Sequence, residues 1–91
     1  MNIQWLFDLI EDRRLNPIQK SYTASLFREG LPKIAQKVGE EGTEVIVAAL
    51  TQDDQRLIEE VADLAYHTLV LLSARGLNPA LVLAELEKRH Q

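Results

Sequence analysis

The chain has 91 residues, 46% hydrophobic and 26% charged, with a formal net charge of −4 and no cysteine. This is enough for one globular domain, but a domain so small buries only about 60–65% of the surface its unfolded chain exposes, so a homodimer or higher homo-oligomer is expected. The acidic balance excludes a nucleic-acid backbone as partner, and the lack of cysteine excludes disulfides, thiolate catalysis and zinc–thiolate sites. No apolar run reaches the ~18 residues that span a bilayer, so no membrane partner is expected. The opening residues carry neither a basic segment nor a cleavage site, and the cytoplasm is the expected compartment.

Asn2 suits the N-cap of a first amphipathic helix over about residues 3–14, with Ile3, Leu6, Phe7 and Ile10 at helical spacing and a break at Asn16-Pro17. Residues 17–30 mix turn formers with hydroxyl side chains, which predicts a loop holding at most a short helix around 23–28. Pro32 fits the first turn of a second helix reaching about residue 50. Thr51 followed by Asp54 resembles a capping box, so a third helix should begin at once and end at Gly76. Asn78-Pro79 then starts a fourth helix to about residue 89. No strand signal competes, and the fold class is all-α. Residues 64–74 of the third helix are apolar almost all round, more than four short helices can cover, so a bundle completed by homodimerisation is expected.

Two carboxylates break the helical pattern. In the second helix Ile34, Val38, Val45 and Ala48 form the apolar seam, and Glu41 lies in it. In the third, Glu60 lies three residues after Leu57 and four before Leu64, with Asp63 one turn on. An isolated ionised carboxylate on a buried face is too costly to keep unless it is paired or binds a cation. A short connection at Thr51 makes the two helices antiparallel, placing Glu41 and Glu44 about 15 and 10 Å from the turn on one helix and Glu60 and Asp63 about 13 and 18 Å on the other. The two acidic pairs are therefore level. Four oxygen donors from two rigid helices suit a hard divalent cation, Mg²⁺ or Mn²⁺.

The order Glu40-Glu41-x-x-Glu44 then Glu60-x-x-Asp63 resembles the signature of the all-α MazG-type nucleoside triphosphate pyrophosphohydrolases. Within that superfamily, Pro17-x-x-x-Ser21-Tyr22-Thr23-x-x-Leu26, Gly30, Lys37-Val38-Gly39-Glu40-Glu41 and Ala62-Asp63-Leu64-x-Tyr66-His67 resemble the phosphoribosyl-ATP pyrophosphatase family over nearly the whole chain. The resemblance implies a four-helix MazG-like homodimer that hydrolyses phosphoribosyl-ATP to phosphoribosyl-AMP and pyrophosphate, the second step of histidine biosynthesis. Some members are fused to a cyclohydrolase that uses cysteine ligands; this chain looks like the single-function form.

By resemblance and spacing, Glu41, Glu44, Glu60 and Asp63 are the expected metal ligands. Glu40, about 100° around the helix, is left to a second ion or the attacking water. Lys33 and Lys37 are candidate phosphate contacts, with a merely solubilising role as the alternative. Ser21, Tyr22 and Thr23 are candidate substrate contacts, Ser21 and Thr23 being equally suited to helix capping. His67 is expected to pack or hydrogen-bond and not to ligate, because Mg²⁺ prefers oxygen. Gly42, where many relatives carry alanine, is read as a possible point of close backbone approach. Two rival functions stand beside this one: hydrolysis of a free nucleoside or deoxynucleoside triphosphate, and a helical dimerisation module without chemistry.

Overall fold

Every helix but one starts on a side-chain cap. The computed structural model describes Met1–Gln91 as five helices: α1 (Ile3–Leu15), α2 (Tyr22–Glu29), α3 (Leu31–Thr51), α4 (Asp54–Ala74) and α5 (Pro79–Arg89). Asn2, Ser21, Asp53 and Asn78 accept the free amides of the first turns of α1, α2, α4 and α5. The exception, α3, follows Gly30, whose φ of 95° suits glycine, and carries Pro32 in its first turn. The chain is all-α, as its periodicity predicts.

Two expectations about the elements change. The short helix expected inside residues 17–30 is a full element of 8 residues, because Ser21 caps it and Ala24 and Leu26 bury one side of it. At the hairpin turn the cap is Asp53, not Thr51: the Asp53 carboxylate accepts the Arg56 amide at 2.9 Å, while Thr51 closes α3 by donating its hydroxyl to the Val47 carbonyl at 2.7 Å. The connection remains short, so α3 and α4 still run antiparallel.

The core lies at one end of that hairpin, where Ile34 of α3 and Leu69 and Val70 of α4 meet Phe7 and Ile10 of α1 and Leu26 of α2. A polar clasp fastens α1 to α4: the buried Ser73 hydroxyl donates to Glu11 at 2.6 Å, and Arg14 reaches the same carboxylate at 2.8 Å. That hydrogen bond from Arg14 holds the Glu11 carboxyl below its usual range, aided by Ser73 and opposed by partial burial. At the C-terminal end of α4, Gly76 takes φ 71° and the Leu77 amide returns to the Leu72 carbonyl at 2.9 Å, closing the helix. The chain then bends by 108° into α5, of which only Pro79 is buried. No single helix is long and apolar enough to cross a membrane.

The chain is open for its length. Its radius of gyration is 14.2 Å, against about 12 Å for a compact domain of this size. Only 13 of the 91 residues are buried, which leaves broad aliphatic faces on α3, α4 and α5 without neighbours.

Candidate active site

The seam between α3 and α4 turns acidic midway along the hairpin. Glu41 and Glu60 are each 6% exposed, nearly as buried as Leu69 of the core. One carboxylate oxygen each from Glu41, Glu60 and Asp63 lie within 4.8 Å of one another. Glu44 stands outside this triad, beside Glu60, lining a shallow depression with Val47, Gln52 and Arg56. Of the four expected ligands, three therefore converge and the fourth borders them. The neighbouring Glu44 carboxyl, with burial adding, pushes the Glu60 carboxyl above its usual range against the pull of Arg56.

The two buried glutamates are half satisfied in the same way. Lys37 lies 3.6 Å from Oε1 of Glu41, and Arg56 lies 2.6 Å from Oε1 of Glu60. Oε2 of Glu41 and Oε2 of Glu60 are buried without a partner. An unpaired buried carboxylate oxygen is among the costliest groups a fold can carry. Two of them on facing helices, with Asp63 in reach, are the donor set a hard divalent cation requires. The residues fit the metal that the motif implies.

The parallel between the helices extends further. On α3, Glu40 accepts from Gln36 at 2.8 Å and from Lys37 at 3.3 Å. On α4, Glu59 accepts from Gln55 at 3.2 Å and from Arg56. Residues 36–44 and 55–63 thus share the pattern Gln, a cation, two residues, Glu-Glu, two residues, an acid, and they repeat its hydrogen bonds. Sequence reasoning missed Arg56; the signal was its position one turn before Glu60, matching Lys37 before Glu41. Glu40 itself is exposed, and its bonds from Gln36 and Lys37 hold its carboxyl below the usual range. The Lys37 ammonium is correspondingly raised, chiefly by Glu40.

Helix α2 reaches this seam through its first turn. The Ser21 hydroxyl accepts the Ala24 amide at 3.2 Å, so it caps. Tyr22 meets Nε2 of His67 at 2.9 Å, and Nδ1 of His67 meets the Asp63 carbonyl at 2.8 Å. A carbonyl only accepts, so Nδ1 carries a proton, and in the neutral tautomer this leaves Nε2 to accept from the Tyr22 hydroxyl. Thr23 bonds to the Tyr66 hydroxyl beside it. His67 is buried and hydrogen-bonded to the backbone of Asp63, as expected, and does not join the carboxylate triad. Partial burial raises the Tyr22 hydroxyl pKa, Lys37 opposes the rise, and Tyr66 and Glu41 add to it. Tyr22 therefore stands in the field of Lys37 and Glu41. Lys33, half-buried on α3, acts on Glu40 only at a distance.

The sequence of residues 4–90 matches the family model described as phosphoribosyl-ATP pyrophosphohydrolase. The chain belongs to the phosphoribosyl-ATP pyrophosphohydrolase family. It is similar to the phosphoribosyl-ATP pyrophosphatase of Clostridium botulinum, 48% identical over 98% of this chain and 81% of the relative. The protein of that name from Lacticaseibacillus casei is 52% identical over 97% of this chain and 80% of its own length. A third, from Sulfurisphaera tokodaii, is 50% identical over 92% of this chain and 89% of the relative. Against that family background, the seam of α3 and α4 is the part of the fold whose polarity packing alone does not explain.

Proposed function

We propose that this chain hydrolyses phosphoribosyl-ATP to phosphoribosyl-AMP and pyrophosphate, the second step of histidine biosynthesis, with Mg²⁺ or Mn²⁺ held by Glu41, Glu60 and Asp63 and bordered by Glu44. The observation that carries this reading is the pair of buried, unpartnered Oε2 atoms of Glu41 and Glu60 on facing helices, in a chain of this family. The bound cation would neutralise the triphosphate and favour attack on phosphorus.

The chain's own residues supply the rest. A water oxygen bonds to the α-phosphorus, the bond from that phosphorus to the bridging oxygen breaks, and pyrophosphate leaves. Glu40, kept ionised by Gln36 and Lys37, is the assigned residue for orienting that water and accepting its proton. Lys37 already bridges Glu40 and Glu41 at 3.3 and 3.6 Å, and it can meet phosphate without leaving the site. Lys33 lies one turn further out. The first turn of α2, with Ser21, Tyr22 and Thr23, is the substrate-facing wall; Tyr22 spends its O–H on His67, whereas the Ser21 hydroxyl only accepts within the fold and keeps its O–H free for a substrate oxygen. A homodimer of single-domain chains in the cytoplasm would cover the aliphatic faces left open. Turnover of phosphoribosyl-ATP against a panel of nucleoside and deoxynucleoside triphosphates tests the reading. A clear preference for phosphoribosyl-ATP is expected, and equal turnover across the panel would sink it.

A further inference from the structure

Arg56 has no part in the function proposed above, yet it occupies on α4 the place that Lys37 occupies on α3. Each cation lies one turn before a buried glutamate and bridges that glutamate and the acid preceding it: Lys37 to Glu40 and Glu41, Arg56 to Glu59 and Glu60. Each contacts Oε1 of the buried glutamate, and in each case Oε2 is the oxygen left buried without a partner. The side chain of Arg56 is half exposed while that of Glu60 is 8% exposed, so the contact reaches from the surface down to the seam.

We infer that Arg56 is a positioning residue of the cation site: by holding Oε1 of Glu60 it fixes the carboxylate with Oε2 free for the metal. The inference rests on the proposed metal site. The physical reason is rotational. A glutamate has three side-chain torsions, and a carboxylate anchored by one oxygen has lost most of that freedom before a cation arrives. A positive charge near a cation site works in the opposite direction by repulsion. The two effects predict opposite signs on removing Arg56, which makes the inference testable.

The test measures binding of Mn²⁺ alone to the full chain by calorimetry, with no substrate present, for wild type, Arg56→Gln and Arg56→Lys. Loss of a group that orients a ligand weakens metal binding by about 10- to 100-fold, and that loss is expected for Arg56→Gln, with Arg56→Lys recovering most of it. At saturating Mn²⁺ the Arg56→Gln enzyme should regain most of its kcat, because every ligand is intact; the defect then lies in the metal concentration needed. A role confined to stability would lower the melting temperature of the metal-free protein without this split. Unchanged or tighter Mn²⁺ binding in Arg56→Gln overturns the inference and leaves the metal site standing. Absence of Mn²⁺ binding in the wild type overturns both.

Discussion

The two ends of the α3–α4 hairpin follow opposite rules. At the end packed against α1 and α2, Ile34 and Val70 are fully buried. At the turn end, Ile46 and Ile58 are 61% exposed and Leu50 79% exposed. The composition at the two ends is equally aliphatic, so the difference lies in neighbours: the chain supplies two covering helices at one end and none at the other. Between them sit buried carboxylates. One molecule thus leaves leucine and isoleucine in water while keeping glutamate out of it. Under the proposed function a second copy would cover the first and a cation would pair the second.

The sharpest way to separate the two ends is to damage each. Ile34→Ala removes a fully buried side chain and should cost about 2–5 kcal/mol of stability at any protein concentration. Leu50→Asp should leave the isolated fold nearly unaffected and weaken self-association instead, by an amount comparable to the roughly 1.5–3 kcal/mol gained on burying a leucine. Denaturation at several protein concentrations with sedimentation distinguishes them. If Leu50→Asp left association unchanged, the turn end would not be where the copies meet.

The middle region should respond with opposite signs in stability and function. Glu41→Gln and Asp63→Asn are each expected to abolish Mg²⁺-dependent thermal stabilisation and to lower turnover by at least about a hundredfold, since a bound metal contributes several kcal/mol to the transition state. The metal-free Glu41→Gln protein should be no less stable than wild type, because a buried unpaired oxygen loses its charge. Retention of both metal response and activity would show that the ligands lie elsewhere.

A smaller effect is expected with pH. Glu60 has a raised pKa beside Glu44, so between the ordinary glutamate value and that raised value the folded chain binds more protons than the unfolded one. Stability of the metal-free protein must therefore fall as pH rises through this window. Glu11 and Glu40, both lowered, act the other way: their contribution is lost as pH drops below the ordinary value. Melting temperatures in chelator should show both limbs. Saturating Mg²⁺ or Glu60→Gln should remove the upper one, and an upper limb that survives Glu60→Gln would place its origin in another group.

Much of this was legible in the sequence because local chemistry decides it. Asn2, Asn78, Pro79 and Gly76 mark helix ends wherever they occur, and Glu41 and Glu60 interrupt an otherwise apolar seam. The hairpin turn was harder, since Thr51 and Asp53 are both capable caps two residues apart. The choice turned on Thr51 bonding back to the Val47 carbonyl, which a helix interior permits. Arg56 was hidden because an exposed arginine looks like surface charge until the Lys37 arrangement is seen repeated. The bond from Tyr22 to His67 spans 45 residues, and no local pattern announces a contact that depends on how α2 settles on the hairpin.

Gly42 lies beside Glu41, where its sequence reading is a point of close backbone approach. The structure removes that reading within the chain: a Cβ built at Gly42 meets nothing within 4 Å. A helical glycine then carries only its entropic disadvantage, and Gly42→Ala should stabilise the protein by about 0.5–1 kcal/mol, a rise of roughly 2–8 °C in melting temperature for a domain of this size. Metal binding should be unaffected, since no motif carboxylate moves. Because Gly42 faces partly outward midway between the covered and bare ends, the same variant also tests whether a second copy reaches this position. A gain in stability at every protein concentration means that no partner surface touches Gly42. A gain in the dilute protein that turns to a loss as association sets in means that the partner's surface reaches this position, and that the glycine is kept for the space it leaves between two copies.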